Sequence, residues 1–143
     1  CRACAYICYF PTARLLDHAR VFALPHLGAS SGEAEENCAV IAAETLRDFL
    51  ENGSIRNSVN FPEAVLPRTA SATRLSIANE NVPNMVGQIS TALAAHQLNI
   101  ADLLNKSRGN LAYTLIDVDG TIPAAAIAQI REISGVLATR VIG

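Results

Sequence analysis

His26 stands in PHLGASSGEAEENCA (residues 25–39), just past the short apolar run VFAL and just before a helix-start pattern. An imidazole titrates near neutral pH and exchanges a proton readily with an alcohol or carbonyl oxygen. The downstream end of a strand is where α/β enzymes place such a group, although a structural histidine near a helix start fits the same spacing. Four thiols form a second candidate group. Cys1, Cys4 and Cys8 lie close together and Cys38 follows later, but no second CxxC or histidine pair completes a zinc site. They read as reduced, partly buried thiols, and no metal is expected. The third group is NENVPNMVG (residues 79–87). A strand-to-helix turn presents unpaired N–H groups and a positive dipole end, which suit a carboxylate, and the amide oxygens of Asn79 and Asn81 suit an ammonium group. An asparagine at such a turn is equally at home as a helix cap or Asx turn.

The elements that must hold these groups fall into two blocks. In residues 1–56, YICYF reads as a strand ended by Pro11, TARLLDHA as a short helix or turn, and VFAL as a second strand. A long helix follows over GASSGEAEENCAVIAAETLRDFLENG. The Ser30/Glu33 spacing predicts a capping box, and Glu33, Glu35 and Glu36 sit at the positive end of the dipole. Ala34, Cys38, Ile41, Thr45 and Phe49 recur at helical spacing, and Asn52-Gly53 is the stop. Residues 57–72 contain two prolines, small residues and no periodicity, and read as a linker.

Residues 73–143 have their own rhythm. TRLSIAN alternates, with Leu75 and Ile77 on one face; Pro83 opens a helix in which Val86, Ile89 and Leu93 share a side. NIADLLNKS and LAYTLIDVD are strands joined by RGN, with Gly109 free to take positive φ. Pro123 opens a second helix carrying Ile127, Ile130 and Ile133, Gly135 closes it, and VLATRVI is the last strand. The order β-α-β-β-α-β predicts a four-stranded antiparallel sheet with both helices on one face. The expected fold class is therefore α+β: a ferredoxin-like βαββαβ unit preceded by a partial α/β, Rossmann-like segment ending in a long helix.

Composition sets the limits. The chain has 143 residues, half of them apolar, and a net charge of −2. A sizeable core is possible, and no Lys/Arg cluster resembles a phosphate-tracking patch, so nucleic acid is not an expected partner. No apolar run approaches the roughly 18 residues that span a bilayer, and no signal peptide is visible, so a membrane is not expected either and the expected compartment is the cytoplasm. The chain opens on Cys1 and its one methionine is Met85, which reads as the tail of a longer polypeptide.

Taken together, LPHLGAS…EAEENCA, NSVNFP, LPR, NVPNMVGQIS and NKSRGNLAYTLIDVD resemble, in order, the C-terminal part of the D-3-phosphoglycerate dehydrogenases, a branch of the 2-hydroxyacid dehydrogenase family. The likeness runs from about Tyr6 to the end. It implies that residues 73–143 are an ACT domain, an amino-acid-sensing module, and that residues 1–56 close a catalytic region. It implies that His26 is the general acid/base of an NAD-linked oxidation, with Gly28 near the cofactor. The orienting carboxylate, the substrate-binding arginine and the glycine-rich dinucleotide loop have no counterpart in this sequence. For the ACT domain the resemblance implies an effector site of Asn79, Asn81, Val82, Asn84, Met85, Leu98 and Asn99, the last contributed across a two-fold homodimer, with L-serine the favoured effector. Three positions depart from the pattern. Asn84 stands where glycine is usual, Asn79 where some serine-inhibited members carry histidine, and Tyr9-Phe10-Pro11 where an acidic residue often precedes the proline.

Two functional classes follow. One is the regulatory and dimerising tail of an NAD-dependent phosphoglycerate dehydrogenase in serine biosynthesis; the other is a stand-alone amino-acid-binding or purely structural ACT module.

Overall fold

The computed structural model describes residues 5–69 and 72–143, in two compact units, Cys1–Ile41 and Ala42–Gly143. Cys1 and Cys4 lie outside the described residues, so the thiol grouping is seen only through Cys8 and Cys38, both free.

In the first unit, β1 (Tyr6–Cys8) pairs in parallel with β2 (Val21–Ala23), and α1 (Ala13–Leu16) connects them. The start of α2 (Gly32–Asn52) completes it. The cap of α2 is Ser31 rather than the expected Ser30: Ser31 Oγ accepts from the N–H of Ala34, 3.2 Å away. With the cap one residue later, the third helical position is Ala34, so Glu33 cannot close a reciprocal box. No residue of α2 is buried, so the stripe Ala34–Cys38–Ile41–Thr45–Phe49 does not meet a core; Ile41 is 54% exposed.

The second unit contains β3 (Ala72–Glu80), α3 (Met85–Ala95), β4 (Ile100–Arg108), β5 (Leu111–Asp119), α4 (Ala124–Arg131) and β6 (Val136–Ile142). The strands form one antiparallel sheet in the order β4-β5-β3-β6. This is the ferredoxin-like arrangement: β3 and β5 are central, β4 and β6 are edges. Alternation sends Leu75, Ile77, Ile116 and Val118 toward α3 and α4, where they pack with Met85, Ile89, Leu93, Ala126 and Ile130. Burying those side chains is what drives the unit together. Helix α3 begins two residues after Pro83, because Asn84 sits at φ +64 and a left-handed residue cannot belong to a right-handed helix. The shift makes Met85, not Val86, the first core residue of α3.

The opposite face of the sheet is covered as well. Residues 57–66, expected as linker, pack there: Ile55 bridges to Ala64, and Ile55, Ala64 and Leu66 are buried against Tyr113 and Leu115. On the same face Arg74 and Asp117, directly opposite in the register, form a fully buried pair with Nε–Oδ1 2.6 Å and Nη2–Oδ2 2.7 Å. Arg74 also donates to the carbonyls of Asn52, Leu66 and Pro67, so each of its guanidinium nitrogens is engaged. A buried charge without such partners would cost several kcal/mol.

The end of α2 is held by this face. Arg140 donates to the carbonyl of Phe49 and lies over its ring at 4.5 Å. Arg68 donates to Glu51 O, Arg74 to Asn52 O, and the Tyr113 hydroxyl to Gly53 O. A helix C-terminus leaves its last carbonyls unpaired and partly negative, which is why cations collect there. None of these groups belongs to α2, whose last turn has no basic residue. Gly53, at φ +70, reverses the chain; a Cβ there would lie 2.7 Å from Ile142 Cδ1.

Candidate functional site

His26 lies in the exposed loop between β2 and α2. Its ring packs edge-on to Tyr9, 5.6 Å between centroids, and tilted against Phe10 at 5.1 Å. Both aromatic residues after β1 thus contact the imidazole, a role the sequence did not signal for Tyr9. Among the described residues no carboxylate bonds to His26. Around Gly28 an added Cβ would meet nothing within 4 Å, so no neighbour requires a glycine there.

The seven effector candidates separate into three groups. Asn79 and Met85 face inward. Asn79 is 1% exposed; its Nδ2 donates to Glu80 O at 2.8 Å and its Oδ1 accepts from Thr114 Oγ1 at 3.3 Å, and Thr114 Oγ1 in turn accepts from Asn105 Nδ2. Its amide is committed to this internal chain. Met85 belongs to the core, and Leu98 packs half-buried on its edge.

Asn81, Val82 and Asn84 cluster at the turn before α3. Asn81 Nδ2 donates to Gly109 O at 3.0 Å and its N–H to Asn110 O, tying the turn to the β4–β5 hairpin and leaving Oδ1 as an acceptor. Glu80, Asn81, Val82, Asn110, Leu111 and Leu137 border a cavity of about 440 Å³. Asn84 makes no side-chain cap bond; instead its Oδ1 lies over Gly87, where a Cβ would collide with it. Its amide therefore covers the first turn of α3, where an effector carboxylate would approach.

Asn99 is alone. Its Nδ2 donates to Asp119 Oδ2 at 2.7 Å and its carbonyl accepts from Asp119 N–H, beside the end of β5. Asn79 pairs with Ala112 near the start of β5, seven residues away (119 − 112). At about 3.4 Å per residue the two ends are roughly 24 Å apart. Within one chain, Asn81 and Asn99 cannot touch the same small molecule.

Two groups titrate away from their usual ranges. Burial raises the Tyr113 phenol, only partly opposed by its bond with Ser76 and by Arg140 and Arg74. Asp48 is held below the usual carboxylate range chiefly by the Asn52 amide, with Arg56 and Ser54 adding to it against partial burial. Among the described residues no cluster of three or more His, Cys, Asp or Glu could hold a metal ion.

The class of protein is set by the sheet: an α+β, ferredoxin-like βαββαβ domain, following a short parallel βαβ segment and a long helix. The chain is similar over most of its length to D-3-phosphoglycerate dehydrogenases. It is 31% identical over 122 residues to the enzyme of Haemophilus influenzae, covering 85% of this chain and 30% of that one. The Escherichia coli enzyme is 30% identical over 133 residues, 92% of this chain and 32% of the relative. D-3-phosphoglycerate dehydrogenase 1 of Saccharomyces cerevisiae is 28% identical over 125 residues, 85% of this chain and 26% of the relative. The chain thus spans about a third of the length of the curated relatives it matches. No protein-family model matches it. Among solved structures it is similar to the ACT domain of GTP pyrophosphokinase from Chlorobium tepidum, at 14% identity and TM-score 0.44, covering 52% of this chain and all of that one. The regulatory subunit of aspartate kinase from Thermus thermophilus is similar at 9% identity and TM-score 0.44, covering 51% of each chain. Among the described residues, no helix is long and apolar enough to cross a membrane.

Proposed function

We propose that this chain is the regulatory and dimerising part of an NAD-dependent D-3-phosphoglycerate dehydrogenase of the cytoplasm, and that its ACT domain senses a free amino acid, L-serine being favoured. The observation that carries the reading is the placement of Asn81 and Asn99 at opposite ends of one sheet. A site using both needs two chains, which is what an effector acting across a homodimer requires. The ligand's ammonium group would meet Asn81 Oδ1 and its carboxylate the first-turn N–H groups of α3. An effector seated there changes the arrangement of the two chains only by binding one arrangement better than the other.

His26 would exchange a proton with the substrate hydroxyl, its ring oriented by Tyr9 and Phe10. NAD finds no cradle among the described residues: the sequence has no G-x-G-x-x-G, and Gly28 is surrounded by open space. The cofactor's site is therefore assigned to other parts of a longer enzyme. The second reading, a self-contained ACT module, is favoured by the complete core of residues 42–143.

Calorimetric titration of L-serine into the full chain decides the effector site. Asn81→Ala and Asn99→Ala should each abolish binding, while Asn84→Gly, by uncovering the first turn of α3, should tighten it several-fold. Binding untouched by either alanine change refutes the site. For His26, His26→Ala in a longer enzyme containing this segment should lower turnover by roughly 10²–10⁴ with little change in NADH binding; turnover within a few-fold of wild type refutes the proton-exchange role.

A further inference from the structure

On the face of the sheet away from α3 and α4, a cavity of about 280 Å³ opens between the C-terminal half of α2, residues 54–61 and the strands. Its walls are Leu46, Phe49, Ile55, Phe61, Ala78 and Tyr113. The Phe61 and Tyr113 rings meet edge to face, 6.0 Å between centroids at 67°. We propose that this cavity is a second ligand site, separate from the effector site, and that it takes a compact, uncharged aromatic molecule.

The chemical class follows from what the polar groups around it already do. Thr45 Oγ1 accepts from Asn57 Nδ2, and Ser58 Oγ accepts from the Phe61 N–H. The Tyr113 hydroxyl is spent on Gly53 O, and Arg56 Nε on Asp48 Oδ2 at 3.0 Å. Arg56 is the one charged side chain in the lining, half-exposed and shared with Asp48, so a charged ligand would lose hydration without an unshared counter-charge. An apolar ring loses nothing and gains three aromatic walls. Size agrees: a space of about 280 Å³ lies at the small end of ligand pockets, suited to a compact ring. The walls are also fixed in advance. The Ile55–Ala64 bridge, the Asn57–Thr45 bond and the Arg56–Asp48–Asn52 bonds hold residues 54–61 in place, so little order has to be created on binding.

Indole is the probe, added to the full chain and followed by amide NMR shifts and calorimetry. Saturable binding is expected, with a Kd of roughly 0.1–1 mM and the largest shifts at Ile55, Ala78 and Tyr113. Indole-3-acetate at neutral pH should bind at least about tenfold more weakly. Leu46→Trp, at a position 61% exposed and so tolerant of the change, and Ala78→Val, which fills the space from the strand, should each weaken indole by about tenfold or more. Absence of saturation up to several millimolar, equal binding of the two indoles, or binding indifferent to both substitutions overturns the proposal. L-Serine titrations are unaffected by either substitution if the two sites are separate.

Discussion

Residues 5–41 and residues 42–143 both contain strands and helix, yet only one of these regions contains an interior. Between Ala5 and Ile41 every described side chain is exposed or half-exposed, and β1 and β2 are three residues each. From Ala42 onward both faces of a four-stranded sheet are buried, one under α3 and α4 and the other under residues 53–67 and the end of α2. The contrast separates backbone pairing from stability. A short parallel pair satisfies a few N–H and C=O groups, but without apolar burial it does not offset the entropy of ordering the chain.

The largest expected break in this contrast is at the buried ion pair. Arg74→Met leaves Asp117 charged and alone in the interior and should lower the stability of residues 42–143 by about 3–5 kcal/mol. Urea unfolding followed by circular dichroism measures it. Arg74→Met combined with Asp117→Leu should recover part of the loss, and an unaltered midpoint in the single variant would contradict the pairing.

Gly53→Ala should cost less, about 1–3 kcal/mol, because it places a Cβ in a left-handed turn and against Ile142. A thermal melt that does not move would show that the helix end is not held as described.

Tyr113→Phe removes the bond to Gly53 O and should cost about 1 kcal/mol near neutral pH. Wild type should also weaken above about pH 10 in a way the phenylalanine variant does not. The phenol's folded pKa is raised, so its contribution is complete below the unfolded value and is lost as pH rises through the folded one. Parallel stability curves for the two proteins at alkaline pH would remove this contribution.

The smallest effect is expected from deleting residues 1–41. The remaining 42–143 should unfold at nearly the same urea midpoint with a similar slope, since the deleted part buries no side chain among its described residues. A fall of more than about 1 kcal/mol would mean that the two regions share an interior.

The βαββαβ order was legible because each of its boundaries carries local chemistry. Gly109 at φ +60 and Gly135 at φ +92 mark turns that few other residues tolerate, and the alternation of Leu75 and Ile77 needs no tertiary information. What escaped reading was the second face. Arg74 and Asp117 sit at positions where alternation places polar residues toward water, and NSVNFPEAVLP has no period to announce that Ala64 and Leu66 are buried. Only the register shows that the two charges are opposite neighbours. For the candidate residues, the sequence places the turns but not the direction in which each side chain points. Asn81 stands at the turn as expected, whereas the amide of Asn79 is enclosed by Thr114 and Glu80, an outcome set by which way one strand residue points. Nothing in the sequence pairs Tyr9 and Phe10 with His26, because that contact joins two separate loops.

The order of the strands also constrains when the sheet can exist. β3, first of the four to be synthesised, has as its neighbours β5 and β6, and the end of α2 waits for Arg140, ninety-one residues beyond Phe49. During synthesis from the N-terminus, β3 therefore emerges from the ribosome with both edges unpaired and its charged Arg74 without Asp117. Such distant contacts carry a loop-closure cost before they return any stability, so this unit cannot close until β6 has been made. Until β6 arrives, β3 is an open template for other strands, and the newly made chain is most prone to aggregate in that interval.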